Sequence, residues 1–202
     1  MYSQALRVAL QLMLFRGNPA DFPYSSTATR MAALFSFAAV VLLMSPALPL
    51  PVAMATGLGG VAGLAFFTRQ LLRANKLENR FAQLFAAQAV VGGLFALAMW
   101  PAFASMAPAM LAVMNDPQLL ERLSQGDSPA LEVPQWAALC SDVLFFWNLA
   151  VSVRINRLGA DLRLPSSWLL TLVGFFVLMS FVMLGQLLAM MVLGGAGAVA
   201  TP

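Results

Sequence analysis

The stretch Val52–Arg80 reads VAMATGLGGVAGLAFFTRQLLRANKLENR. Its first part, Val52–Phe67, carries no charge. Its second part holds Arg69, Arg73, Lys76 and Arg80. About 20 apolar residues in a helix cross the ~30 Å hydrocarbon layer of a bilayer. Inside that layer the backbone must close its own hydrogen bonds, so an apolar run of this length reads as a helix. A membrane span ending in a basic loop is the pattern that the rest of the chain repeats.

Composition agrees. Of 202 residues, 61% are hydrophobic and 9% charged, against about 25% charged in a soluble domain. So few charges cannot cover a water-facing surface. Outward from the quoted stretch, four more spans are expected. Met31 to about Pro46 is short and is expected to begin a few residues earlier. A tight turn over Ala47–Pro51, with Pro49 and Pro51, separates it from Val52–Phe67, because interior Pro removes backbone hydrogen bonds. Phe81 to about Ala104 follows, with a bend at Trp100–Pro101, then Pro134–Val153 and Ser167–Leu193. The fold class expected is all-α, a polytopic bundle over 27–195, preceded by a surface helix and linker (1–26) and followed by a Gly/Ala-rich tail (196–202).

Lys and Arg gather in cytoplasmic loops near span ends. Arg7, Arg16 and Arg30 precede the first span. Arg69, Arg73, Lys76 and Arg80 lie between the second and third, and Arg154, Arg157 and Arg163 between the fourth and fifth. Of the eleven basic residues only Arg122 falls on the other side, beside Asp116, Glu121, Asp127 and Glu132. The expectation is a cytoplasmic N-terminus and an external C-terminus in a bacterial inner membrane. Trp100 and Trp136 then mark the outer interface and Trp168 the inner one. Trp147 is a packing or lipid-facing residue. Pro117–Gln125 in the outer loop reads as a short surface helix.

Tyr2–Arg16, YSQALRVALQLMLFR, places Ser3, Gln4, Arg7 and Gln11 on one helical stripe, the pattern of a helix lying in the interface. A signal peptide would need a stronger n-region and a small-x-small cleavage site. Gly17 and Pro19 stop the helix, and Ser25, Ser26 or Thr27 is available to cap the first span. The linker either tucks the surface helix under the bundle or offers Asp21, Phe22 and Tyr24 to a partner.

Few residues suggest chemistry. The chain has no His and one Cys, Cys140, which leaves no zinc, haem or iron–sulfur site and no cofactor. Asp142 lies about 12 Å into the fourth span at 1.5 Å per residue. A carboxylate there is costly and is a functional candidate by default. Ser180, at similar depth in the fifth span, is its candidate partner. Asn148 and Ser152 share a face of the fourth span with Ser141. Gln88 sits in the third span and Gln186 in the fifth. Such groups read either as interhelical glue or as a polar path. Ala55, Gly59 and Gly63 form a small-xxx-small ladder that permits close helix approach, with Gly92–Gly93 as the candidate facing surface. GLGGVAG at Gly57–Gly63 lacks the Lys of a phosphate loop. An enzyme is not expected.

Five spans in this orientation resemble the Yip type of membrane protein, the Rab/Ypt-interacting family, which has bacterial relatives. Leu144–Ser167, LFFWNLAVSVRINRLGADLRLPSS, is similar to that family's fourth span and the turn into the last. Arg16–Ser25, RGNPADFPYS, is similar to the start of small proteobacterial membrane proteins of the same layout. The resemblance implies a non-enzymatic protein that organises, assembles or stabilises membrane components. Eukaryotic members meet Rab GTPases through a longer N-terminal region than the ~30 residues here, so that partner is not carried over. The partners expected are membrane lipids, with other membrane proteins or a second copy, and no nucleic acid. The alternative is a small transporter or channel component using Asp142.

Overall fold

In a computed structural model, residues 2–116 and 133–198 are described. They form six α-helices: α1 (Tyr2–Met13), α2 (Ser26–Met44), α3 (Leu50–Ala74), α4 (Phe81–Asn115), α5 (Gln135–Gly159) and α6 (Leu164–Ala198). Single 3₁₀ turns at Pro19–Asp21 and Glu78–Arg80 complete the described secondary structure, which includes no strand. The segment expected to carry the surface helix Pro117–Gln125 lies outside the described residues, as does most of the tail. Five helices, α2 to α6, are long and apolar enough to cross a membrane. The chain is an integral membrane helical bundle.

Helices outrun the spans read from hydropathy. α3 continues through Thr68 and Arg69 to Ala74, and α5 continues past Val153 to Gly159. α4 runs on through both Pro101 and Pro108. Hydropathy marks where hydrocarbon ends, whereas Arg, Gln, Leu and Ala beyond that point are still good helix formers. α1 stops three residues short of Arg16. Ser25 proves to be the cap of α2, its hydroxyl accepting from the Ala28 N–H at 3.0 Å.

Three helices end on the same device at one end of the bundle. Phe15, Lys76 and Asp161 adopt left-handed φ of 58°, 57° and 53°. In each case the next N–H reaches back five residues: Arg16 to Gln11, Leu77 to Leu72, Leu162 to Arg157. This is the Schellman closure, normally built on Gly at the left-handed position. None of the three is Gly, so each costs roughly 1–2 kcal/mol of backbone strain.

The bundle is assembled from one antiparallel pair, one parallel pair and a flanking helix. α3 lies along α6, α2 along α4, and α5 on the other flank of α4. α1 lies across α4 and reaches α5. Its apolar Val8, Ala9 and Leu12 are buried with Phe22, Phe85 and Ala89, while Ser3, Gln4, Arg7 and Gln11 remain exposed. The indole N–H of Trp147 donates to the Met13 carbonyl at 2.8 Å, satisfying one of the orphan carbonyls at the end of α1. The linker is stitched down as well. The Gln83 amide donates to the carbonyls of Ala20 at 2.7 Å and Phe22 at 3.3 Å. Phe22, proposed above as a partner contact, is 2% exposed and belongs to the core. Asp21 and Tyr24 are exposed.

Candidate functional site: a polar layer at the basic end

Four helices meet in a chain of buried hydrogen bonds. The Thr68 hydroxyl on α3 donates to Gln88 Oε1 on α4 at 2.8 Å. The Gln88 amide donates to Asn156 Oδ1 on α5 at 2.5 Å. The Asn156 amide donates to Thr171 Oγ1 on α6 at 2.9 Å. The Thr171 hydroxyl closes the chain on the Ser167 carbonyl at 2.7 Å. All five residues are buried. Each link passes a hydrogen in the same direction, and none is titratable. The arrangement can lock helices together; it holds no group that changes charge.

The layer also fixes a level in the bundle. Arg69 follows Thr68, and Arg154 and Arg157 flank Asn156. Gly93 of α4 sits against Phe35 and Ser36 of α2, and the two helices run parallel, with Leu43 beside Ala96. Stepping back about a turn and a half on each puts Arg30 level with Gln88. Trp168 lies one turn beyond Thr171. The polar layer, four arginines and an exposed Trp thus share one plane, about 27 to 33 Å of helix from Leu50 and Pro134 at the opposite ends of α3 and α5. That separation matches the hydrocarbon thickness.

Toward the other end, α3 and α6 are joined once more. The Gln186 amide donates to Thr56 Oγ1 at 3.0 Å, and the Thr56 hydroxyl turns back to the Val52 carbonyl at 2.8 Å. Between the two latches the backbones touch. A Cβ on Gly59 would stand 2.5 Å from the Phe181 carbonyl oxygen, and one on Gly63 would stand 3.0 Å from Phe181 Cβ. A Cβ on Gly185 would meet the Ala55 carbonyl oxygen at 2.7 Å. The ladder therefore faces α6. Gly92–Gly93, the surface suggested for it above, is placed elsewhere: Gly93 receives Phe35 of α2, and Gly92 has nothing within 4 Å.

The remaining candidates divide. Asp142 is exposed on the outer surface of α5 beside Leu139, Val143 and Phe146, which are 66%, 59% and 64% exposed. Ser180 is also exposed and donates to its own Phe176 carbonyl at 2.9 Å, so the structure does not bring the two together. Asn148 and Ser152 are half-buried on the inward stripe that also carries Ala137, Val151 and Ile155. The Ser141 hydroxyl on that stripe is buried without a partner.

Among the basic residues, Arg80 pairs with Asp161 at 2.9 Å. The Arg154 Nε is buried without a hydrogen-bond partner. Arg69, Arg73, Lys76, Arg157 and Arg163 are exposed. Among the described residues no three His, Cys, Asp or Glu side chains gather as a metal site.

Sequence reading singled out Gln88 but missed Thr68, Asn156 and Thr171. The available signal was position. Each is a small polar residue at the basic end of its span, level with the arginines. No family model, curated protein or solved structure matches the chain.

Proposed function

We propose that this is a non-enzymatic membrane protein of Yip-like layout that holds another membrane component against the outer surface of α5, with its N-terminus in the cytoplasm. One observation carries the reading: the polar groups of the buried layer are spent on one another, while Asp142, an acidic side chain within a span, stands exposed on the outside of the bundle. A carboxylate facing hydrocarbon costs about 2.5–3.5 kcal/mol on insertion scales. A donor on a neighbouring helix would recover that cost, and the exposed Leu139, Val143 and Phe146 supply the packing around it. The sequence has no His, so no Ser/His/Asp set is possible, and we read the role as non-enzymatic.

The transporter reading draws support only from the inward Ser141, Asn148 and Ser152, whose side chains hold no hydrogen bond among the described residues. It cannot use Asp142 within a single chain, since that carboxyl faces away from the interior.

A photo-crosslinker at Val143, in native membranes, tests the proposal. It should give one discrete protein adduct, which Asp142→Leu reduces at least tenfold while the protein remains folded. Adducts to lipid alone, or an adduct indifferent to Asp142→Leu, would remove the basis for it.

A further inference from the structure

Asp142 is exposed on the outside of α5, about 12 Å into the span from Pro134. Leu139, one turn before it, and Phe146, one turn after it, are 66% and 64% exposed. Both lie within about 60° of Asp142 around the helix, so the carboxylate sits between two apolar side chains on one outward face. Its stem is too short to carry the charge to water, as the longer stems of Lys and Arg do.

Among the described residues no cation comes near it. On α5 itself the first basic residue is Arg154, about 18 Å further toward the basic end. The other described basic residues lie before Met31, from Arg69 to Arg80, or from Arg157 to Arg163, all on that same side. The far half of the bundle therefore holds a negative charge without an opposite one.

The chemistry of a carboxylate selects what would answer it. It only accepts hydrogen bonds, at about four lone-pair sites. A neutral donor such as Ser or Asn fills part of that capacity and leaves the charge in hydrocarbon. An ammonium or guanidinium cancels the charge and brings several donors at once, in bonds roughly twice as strong as neutral ones. A second copy of this chain, turned about an axis along the bilayer normal, would bring Asp142 to the same depth as Asp142, and two like charges at one site oppose each other.

We infer that the partner on the outer surface of α5 is a different membrane protein, one of whose spanning helices carries a Lys or Arg at the depth of Asp142, within about one turn of it along the bilayer normal. This rests on the docking role proposed above and adds the chemistry that selects the partner. Each charge alone is costly in lipid, so the two are driven together. Leu139 and Phe146 pack on the turns of the partner that flank its cation. A helix without that cation leaves the carboxylate unanswered, which separates the right partner from other apolar helices that would pack as well.

The photo-crosslinker at Val143, in native membranes, tests this when charge and hydrogen bonding are varied apart. Asp142→Glu keeps the charge and should preserve the adduct. Asp142→Asn keeps hydrogen-bonding capacity without charge and should reduce it roughly tenfold. The adducted protein, identified by peptide mass spectrometry, should carry Lys or Arg at the stated depth in a span, and Leu in place of that residue should remove the adduct. In vesicles of phosphatidylethanolamine and phosphatidylglycerol, the purified full chain should also capture a synthetic Leu/Ala helix of about 22 residues with one Lys at that depth, in preference to the same helix with Asn or Leu there.

An adduct that Asp142→Leu removes and Asp142→Asn retains would overturn the cation and leave a docked partner in place. So would an adduct to a second copy of this chain, an adducted span without a basic residue, or equal capture of the Lys and Asn helices. No discrete adduct from the wild-type residue at 142 would end the docking role and this inference together. Should a variant fail to fold, the wild-type chain with the three synthetic helices decides.

Discussion

At the scale of single residues, two asparagines on α5 carry different weights. Asn156 is 1% exposed and holds two hydrogen bonds, to Gln88 and Thr171. Asn148, eight residues earlier on the same helix, is half-buried and holds none among the described residues. Interhelical hydrogen bonds in membranes average only ~0.6 kcal/mol, but stranding a buried donor costs about 1–3 kcal/mol. Asn156→Ala strands the Gln88 amide and removes the donor to Thr171. It is expected to destabilise the protein by about 2 kcal/mol, the middle of that range. Asn148→Ala should stay within ~0.5 kcal/mol of wild type. Thermal unfolding of both variants in one detergent checks the contrast, and equal losses would refute it. Replacing Gln88 and Asn156 together by Leu should restore part of the loss, because apolar replacement of both partners leaves fewer orphans.

At the scale of elements, the decisive contact is α3 on α6, and adjacent glycines test it. A Cβ at Gly59 would collide with the Phe181 backbone, where no side chain can yield, while at Gly60 it would meet only Val182 Cγ2, at 3.9 Å. Gly59→Ala must push the helices apart, and overpacking of this kind costs typically 1–3 kcal/mol. Gly60→Ala should be neutral or slightly stabilising, since Ala is the better helix former by about 1 kcal/mol. Unfolding of the two variants in the same detergent separates them, and similar behaviour would mean that α6 does not approach where the structure puts it.

This pair also marks how far the sequence was legible. The ladder Ala55–Gly59–Gly63 announces that something comes close. It does not announce what, because the apolar residues of α6 surround the whole helix and mark no face of their own. The same limit applies to the polar layer. Gln88 stands out in an apolar run, but Asn156 sits among arginines and reads as loop, and Thr68 reads as the end of a span. Asp142 was conspicuous by depth. Its direction was not readable, since Ser141 beside it points inward and one helical step separates the two.

At the scale of the whole molecule, the five spans and the side on which the arginines gather were legible because hydrocarbon punishes charge at every position. One plane now joins the polar layer to Arg30, Arg69, Arg154, Arg157 and Trp168, and a second lies a bilayer's thickness away near Leu50 and Pro134. The loops that follow α3 and α5 therefore emerge on the same side, and the turn that follows α2 on the other. In a Cys140→Ser background, Lys76→Cys and Arg157→Cys should both resist a membrane-impermeant maleimide in intact cells and react once the membrane is opened, whereas Ser45→Cys should react at once. All three side chains are exposed, so a failure to label reports the bilayer and not burial in the bundle. Labelling of both basic-end cysteines from outside would invert the orientation and leave the bundle intact. Labelling of one but not the other would break the plane itself, and with it the placement of Asp142.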